Sequence, residues 1–221
     1  MECQFGIRGN GYVLLASDQS AIRSIVKMKS NEDKMRIVGK HQVIAFSGEP
    51  GDTVHFAEYV QANLKLNAIR NHVDTNPAAA AAWIRNSLAT SLRSRKPYSV
   101  NLLLGGYDQA KEMPHLYWID YLGTVAEVPY AAHGYGAYFC LSTMDRYHDP
   151  TAGVEAGMEL LKRCINELQT RFIIDLGQWN VRIITKDGIK EEILNEIAPP
   201  SGGKATSDTP MRPVQSLPVV A

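Results

Sequence analysis

Gly11-Tyr-Val-Leu-Leu-Ala-Ser-Asp18, followed by Asp33-Lys34-Met-Arg-Ile-Val38 and then Val43-Ile-Ala-Phe-Ser-Gly48-Glu-Pro-Gly-Asp52, decides how the rest of the chain is read. Tyr12 to Ser17 is mostly apolar and follows Asn10-Gly11, a pair that favours a two-residue hairpin turn. It predicts a buried strand with Asp18 at its end. Lys34 opens the next strand, Val43 to Ser47 makes another, and Gly48 to Gly51 turns into a helix capped by Asp52. An acid and a lysine at neighbouring strand ends, beside the start of the chain, form a group able to handle protons.

Outward from that stretch, Cys3 to Arg8 alternates Cys3, Phe5 and Ile7 against Gln4, Gly6 and Arg8, as a strand pairing with Tyr12 to Asp18 does. Ile22 to Met28 and Lys34 to Val38 read as two strands around the polar turn Lys29 to Asp33. After Asp52, Val54, Ala57, Val60, Leu64 and Ala68 mark one face of a long helix. Asn76-Pro77 is an N-cap followed by proline, opening a second helix that runs to about Arg93 on Ala80, Ile84, Leu88 and Leu92. Strands are expected at Tyr98 to Tyr107, His115 to Tyr121 and Gly123 to Ala132. Helices follow from Gly136 to about Tyr147 and from about Thr151 to Phe172, and Trp179 to Thr185 with Ile189 to Leu194 closes as a hairpin. Periodicity supports an α+β fold with packed helix pairs.

At 221 residues, 45% hydrophobic and 21% charged, the chain can bury one sizeable core. Lys+Arg and Asp+Glu both number 23, so no net charge draws it to nucleic acid or a membrane surface. The cysteines Cys3, Cys140 and Cys164 have no metal-ligand spacing, and their odd count argues against a disulfide framework. No cofactor or metal motif is expected. Met1 to Phe5 lacks a basic n-region and an apolar run, so no signal peptide is expected, and no stretch approaches the ~20 apolar residues of a membrane span. No internal repeat is visible. From Ala198 the composition shifts to Pro, Gly, Ser and Thr, which divides the chain into a domain over 1–197 and a tail over 198–221. The tail reads as a disordered end in preference to an arm lying on a neighbour.

The opening stretches, in this order, resemble the proteasome beta-subunit family, a branch of the N-terminal nucleophile hydrolases. Across residues 1 to about 197 the resemblance is carried further by Gly51-Asp-Thr-Val-His-Phe-Ala-Glu-Tyr-Val60, by Leu92-Arg-Ser-Arg-Lys-Pro-Tyr-Ser-Val-Asn-Leu-Leu-Leu-Gly-Gly-Tyr-Asp108 and by Ala131-Ala-His-Gly-Tyr-Gly136. It implies a four-layer αββα sandwich. In active members an exposed N-terminal threonine is both nucleophile and base, tuned by an Asp sixteen positions on and a Lys sixteen beyond that. Asp18 and Lys34 keep the second interval, and sixteen positions before Asp18 stands Glu2. The resemblance thus implies an active-site frame without its nucleophile.

Other positions of the frame also depart from the active pattern. Active members place a serine between two glycines after the late strand, where this chain has Gly134-Tyr135-Gly136. They carry an Asp and a Ser before the closing strands, where an ungapped reading back from Asn180 finds Phe172 and Asp175. Tyr135 is expected to fill space that substrate or the amine would use. Asp18 and Lys34 read as a catalytic pair or as a structural ion pair, and the structural reading is preferred. His133 reads as a general base or, without a nucleophile beside it in sequence, as a structural histidine. Leu92 to Lys96 reads as a phosphate site or as a basic helix end complementing the dipole.

What the resemblance implies is a non-catalytic subunit at the fourth position of a seven-membered beta ring. Its expected partners are other beta subunits, alpha-ring subunits and the opposite beta ring, with no nucleic acid and no membrane. Such particles degrade unfolded, ubiquitin-marked proteins in cytoplasm and nucleus. The alternative is an amidohydrolase using Cys3 after removal of residues 1 and 2. Cys3 stands fifteen residues before Asp18, and a one-residue slip turns a strand side chain to the opposite face. No propeptide-length segment precedes the first strand, so no processing is expected to uncover a threonine.

Overall fold

The computed structural model describes residues 2–24 and 26–195. The expected tail over 198–221 lies outside the described residues. The chain opens with strands β1 (Cys3–Gly9) and β2 (Tyr12–Asp18), whose Gly9↔Tyr12 pairing leaves Asn10-Gly11 as the two-residue turn. β2 is buried along its whole length, because strands pair on both its edges and other layers cover both its faces. The small strands β3 (Ala21–Arg23) and β4 (Val26–Lys29) form a separate two-stranded sheet among the described residues. Strands β5 (Met35–Gly39) and β6 (Gln42–Gly48) then lead into helix α1 (Pro50–Asn71).

Helix α2 (Pro77–Leu92) begins as its sequence dictates. The Asn76 side chain accepts a hydrogen bond from the Ala79 amide at 2.7 Å, and an alanine-rich first half favours the helix. Strands β7 (Val100–Asp108), β8 (Met113–Ile119), β9 (Val125–Glu127) and β10 (Tyr130–Gly134) follow. Helices α3 (Tyr135–Tyr147) and α4 (Val154–Arg171) and the hairpin β11 (Trp179–Thr185) and β12 (Gly188–Leu194) complete the described fold.

Two five-stranded sheets, β10-β1-β2-β11-β12 and β5-β6-β7-β8-β9, face each other across a layer built from Val13, Leu15, Val43, Ala45, Leu103 and Leu116. α3 and α4 cover the outer face of the first sheet through Phe5, Leu14, Leu161, Cys164 and Trp179. α1 and α2 cover the second through Ile44, Phe56, Val60, Ile84 and Leu102. This is the four-layer αββα sandwich. Alternation puts Cys3, Phe5 and Ile7 under the helices and turns Gln4 toward the opposite sheet.

Several expectations are corrected by the structure. The single strand expected over Ile22 to Met28 is a hairpin, broken where Ser24 takes a positive φ of 56°. α1 starts at Pro50 with Glu49 at its N-cap, so Asp52 is not the cap. Its carboxylate instead accepts the Ser99 amide at 3.0 Å, tying the first turn of α1 to the approach to β7. The buried stripe of α1 is Thr53, Phe56, Ala57, Val60 and Leu64, while Val54 is exposed. The strand expected over Gly123 to Ala132 is two strands in different sheets. Val128 still donates to Leu116 on one side, while the Pro129 carbonyl already accepts from Arg8 on the other.

Candidate functional site

The sequence-expected residues meet where the two sheets share one end. Glu2 immediately precedes β1, Asp18 ends β2, Lys34 precedes β5 and Tyr135 opens α3. Asp18 is completely buried. Its Oδ1 accepts the Cys3 amide at 2.9 Å, and its Oδ2 accepts the Ser20 amide at 3.1 Å and Lys34 Nζ at 2.7 Å. Lys34 Nζ donates a second bond to the Ser20 carbonyl at 2.8 Å. Each charge therefore has neutral partners besides the other, which is what a buried ion pair needs to offset its desolvation.

The same frame pins the start of the chain. The Glu2 carbonyl accepts the Tyr135 amide at 3.2 Å. Gly134, at φ 70°, packs so closely that a Cβ there would collide with that carbonyl. The Glu2 carboxylate reaches the other way and accepts the Gly48 amide at 2.9 Å. Burial raises the Glu2 pKa from the ordinary carboxylate value, and Lys34 and the Gly48 bond pull it partly back.

Cys3, the alternative nucleophile, is fully buried under the α3–α4 face. Burial and the Asp18 charge push its thiol up to about 12, and its backbone nitrogen already donates to Asp18. A thiol so placed is poorly suited to attack, since the thiolate is the reactive form. Tyr135 remains 44% exposed, and its ring leans on Phe172 at 5.4 Å between centroids and on Tyr138 at 6.4 Å. The expected departures Tyr135 and Phe172 are thus direct neighbours, and their rings form an aromatic cluster with Phe139. Asp175 lies on the loop between α4 and β11, where its carboxylate accepts the Gly177 amide at 2.8 Å. That loop is tied to the frame by Ser20, whose hydroxyl donates to the Leu176 carbonyl at 2.6 Å.

His133 faces the opposite sheet. Its Nε2 donates to the Leu102 carbonyl at 3.1 Å and its ring stacks on Trp118 at 5.1 Å. Burial lowers its pKa to about 4, the state of a neutral bridging histidine. Arg93 caps the end of α2 and donates to the Ala89 carbonyl at 2.8 Å, as a basic helix end does. Among the described residues no cluster of His, Cys, Asp or Glu could hold a metal ion, and no helix is long and apolar enough to cross a membrane.

Sequence reasoning missed Gln4 and Gly48. Gln4 is completely buried, and its amide donates to the Phe46 carbonyl of the facing sheet. Its only signal was a polar side chain in a strand whose partner β2 is apolar on both faces. Gly48 adopts φ 137°, and a Cβ there would run into the Ser99 carbonyl.

Known proteins extend this picture. Residues 2–184 match the family described as Proteasome subunit. The chain is 50% identical over 189 residues to a probable proteasome subunit beta type-4 of Neurospora crassa, covering 86% of this chain and 93% of that protein. It is 45% identical over 191 residues to proteasome subunit beta type-4 of Saccharomyces cerevisiae, at 86% and 96% coverage. It is 46% identical over 191 residues to proteasome subunit beta type-2-A of Arabidopsis thaliana, at 86% and 93% coverage.

Proposed function

This chain belongs to the proteasome subunit family, and on that premise we propose that it is a non-catalytic beta subunit of the 20S core particle. One observation carries the non-catalytic reading. Asp18 and Lys34, which would tune a nucleophile, are spent on internal partners, and the position they would serve holds the carboxylate of Glu2. A carboxylate has no hydroxyl proton to give to an adjacent amine, so the activated pair of this chemistry cannot form on it. Cys3 offers little in its place, with a buried, raised thiol and a committed nitrogen.

Family membership implies assembly with other proteasome subunits. The proposal adds a seven-membered beta ring between an alpha ring and the opposite beta ring, in which this chain walls the proteolytic chamber. Cytoplasm and nucleus are the compartments proposed for that work on ubiquitin-marked proteins. The contribution of the subunit is then geometric, carried by its surfaces and by the rigidity of its buried frame.

The test is the intact mass of each subunit after assembled particles are treated with a threonine-directed covalent inhibitor. Catalytic subunits should gain the adduct while this chain keeps its unmodified mass. An adduct on this chain would overturn the reading.

A further inference from the structure

β12 is the last strand of the first sheet, and between it and α4 runs an open groove of about 650 Å³. Ile183 and Gly188 form its floor, and Val154 and Met158 of α4 give it an apolar wall that the core beneath buries only in part. Its rim is charged. Glu155 and Asp187 stand at the end by the β11–β12 turn, and Lys162 lies about two turns further along α4. The fold sets that direction. Gly157 packs on Tyr12, which pairs with Thr185 beside the turn, whereas Phe172, past the other end of α4, meets Tyr135. The ion pairs of this region join Arg163 to Glu159 and Lys190 to Glu192, and among the described residues they leave Glu155, Asp187 and Lys162 without one.

We propose that this groove seats the chain's own segment Asp208-Thr-Pro-Met-Arg-Pro-Val214, running back beside β12 toward the β11–β12 turn. The order of charges in the segment is that of the groove. Asp208 comes first, against Lys162, and Arg212 follows against Glu155 and Asp187. From Asp208 to Arg212 an extended chain spans ~13 Å, and from Glu155 to Lys162 the helix spans ~11 Å. Met211 then lies over Val154, Met158 and Ile183, an unbranched side chain suited to an uneven apolar surface. Pro210 and Pro213 have no amide to give a strand, so the segment suits a groove lined by side chains better than an extension of the sheet. Residues 196–207, half of them Pro, Gly and Ser, have a root-mean-square reach of about 19 Å, against about 13 Å back along β12 from Leu194 to Lys190. A linker of matching reach holds its segment at high effective concentration. The segment lies beyond the family match, which ends at residue 184, and the groove is separate from the Asp18 frame.

The experiment replaces Met211 with the photoreactive residue p-benzoylphenylalanine in assembled particles, irradiates them and maps the linked peptides by mass spectrometry. The link should fall on Val154 to Lys162 or on Ile183 to Glu192, and the product should migrate as a single subunit after denaturation. Arg212→Glu should lower its yield about threefold, and adding Glu155→Arg should recover part of the loss. In particles whose copy of this chain ends at Ile197, the methyl resonance of Met158 should shift, which tests the contact where the photoreactive residue is not tolerated. A link to a neighbouring subunit would make the segment an arm, and links scattered over many sites would make it a free end. Either result would overturn the proposal, as would a yield unchanged by Arg212→Glu or a Met158 resonance indifferent to the truncation. None of these readouts involves hydrolysis, so their failure and that of the non-catalytic reading are separate results.

Discussion

Asp33 and Lys34 are neighbours in the chain and head two ion-pair networks of opposite character. Lys34 turns inward to Asp18, where the side chains are 5% and 0% exposed and every donor and acceptor named above is used. Asp33 turns to Arg182, which also binds Glu191, and there the two acids are 40% and 57% exposed. Among the described residues Nη1 of Arg182, a buried nitrogen, has no partner. The contrast teaches that a contact's distance says little about its weight. The two Arg182 bonds, at 3.0 and 2.9 Å, are nearly as short as the 2.7 Å pair of Lys34, but solvent screens their acids and water replaces them when they break. Breaking the inner pair strands a charge where no water reaches it.

The largest effect is therefore expected from breaking the inner pair on one side only. Lys34→Met should cost about 3–5 kcal/mol by leaving Asp18 buried and uncompensated. Urea unfolding of the chain measures this, or heat-release of the subunit from the particle followed by native mass spectrometry. Adding Asp18→Asn should recover part of the loss, with a coupling above about 1 kcal/mol. Additive losses would show that the pair does not act as a unit.

A second buried group sharpens the comparison through pH. His133 is held neutral with its pKa lowered from 6.5 to about 4, so the unfolded chain binds its proton first. Its contribution is complete above pH 6.5 and is lost as the pH falls toward 4, by up to about 3 kcal/mol. His133→Gln should flatten that part of the stability profile. An unchanged acid limb in the variant would assign the loss to other groups.

The outer network should respond least among the stability changes. Glu191→Gln is expected to cost less than about 1 kcal/mol, because the glutamate is mostly exposed and Asp33 still holds Arg182. A loss comparable with that of Lys34→Met would break the comparison outright.

No gain at all is expected from restoring the nucleophile. With Met1 deleted and Glu2→Thr, assembled particles whose native active subunits are inactivated should show no hydrolysis of fluorogenic peptides. Catalytic groups act as a unit, and the Tyr135 and Phe172 rings pack together where the resemblance implies a supporting hydroxyl and acid. Turnover sensitive to a threonine-directed inhibitor would show that only the nucleophile had been lost.

By itself the sequence determined whatever depends on near neighbours. The Asn10-Gly11 turn, the Asn76 cap, the helix pairs and the closing hairpin all follow from local periodicity and turn chemistry, and all stand in the structure within a few residues. The meeting of Asp18 and Lys34 was legible too, through the resemblance of their sixteen-residue interval to the family pattern. The division of Gly123 to Ala132 between two sheets was not legible. Nor were the reach of Glu2 and Gln4 to β6, the pairing of Arg182 with Asp33, and the tilted contact of the Tyr135 and Phe172 rings. Each of these joins residues brought together only when the sheets stack and the helices close over them. A side chain's chemistry states what partner it needs, and the packing of distant elements decides which partner it finds.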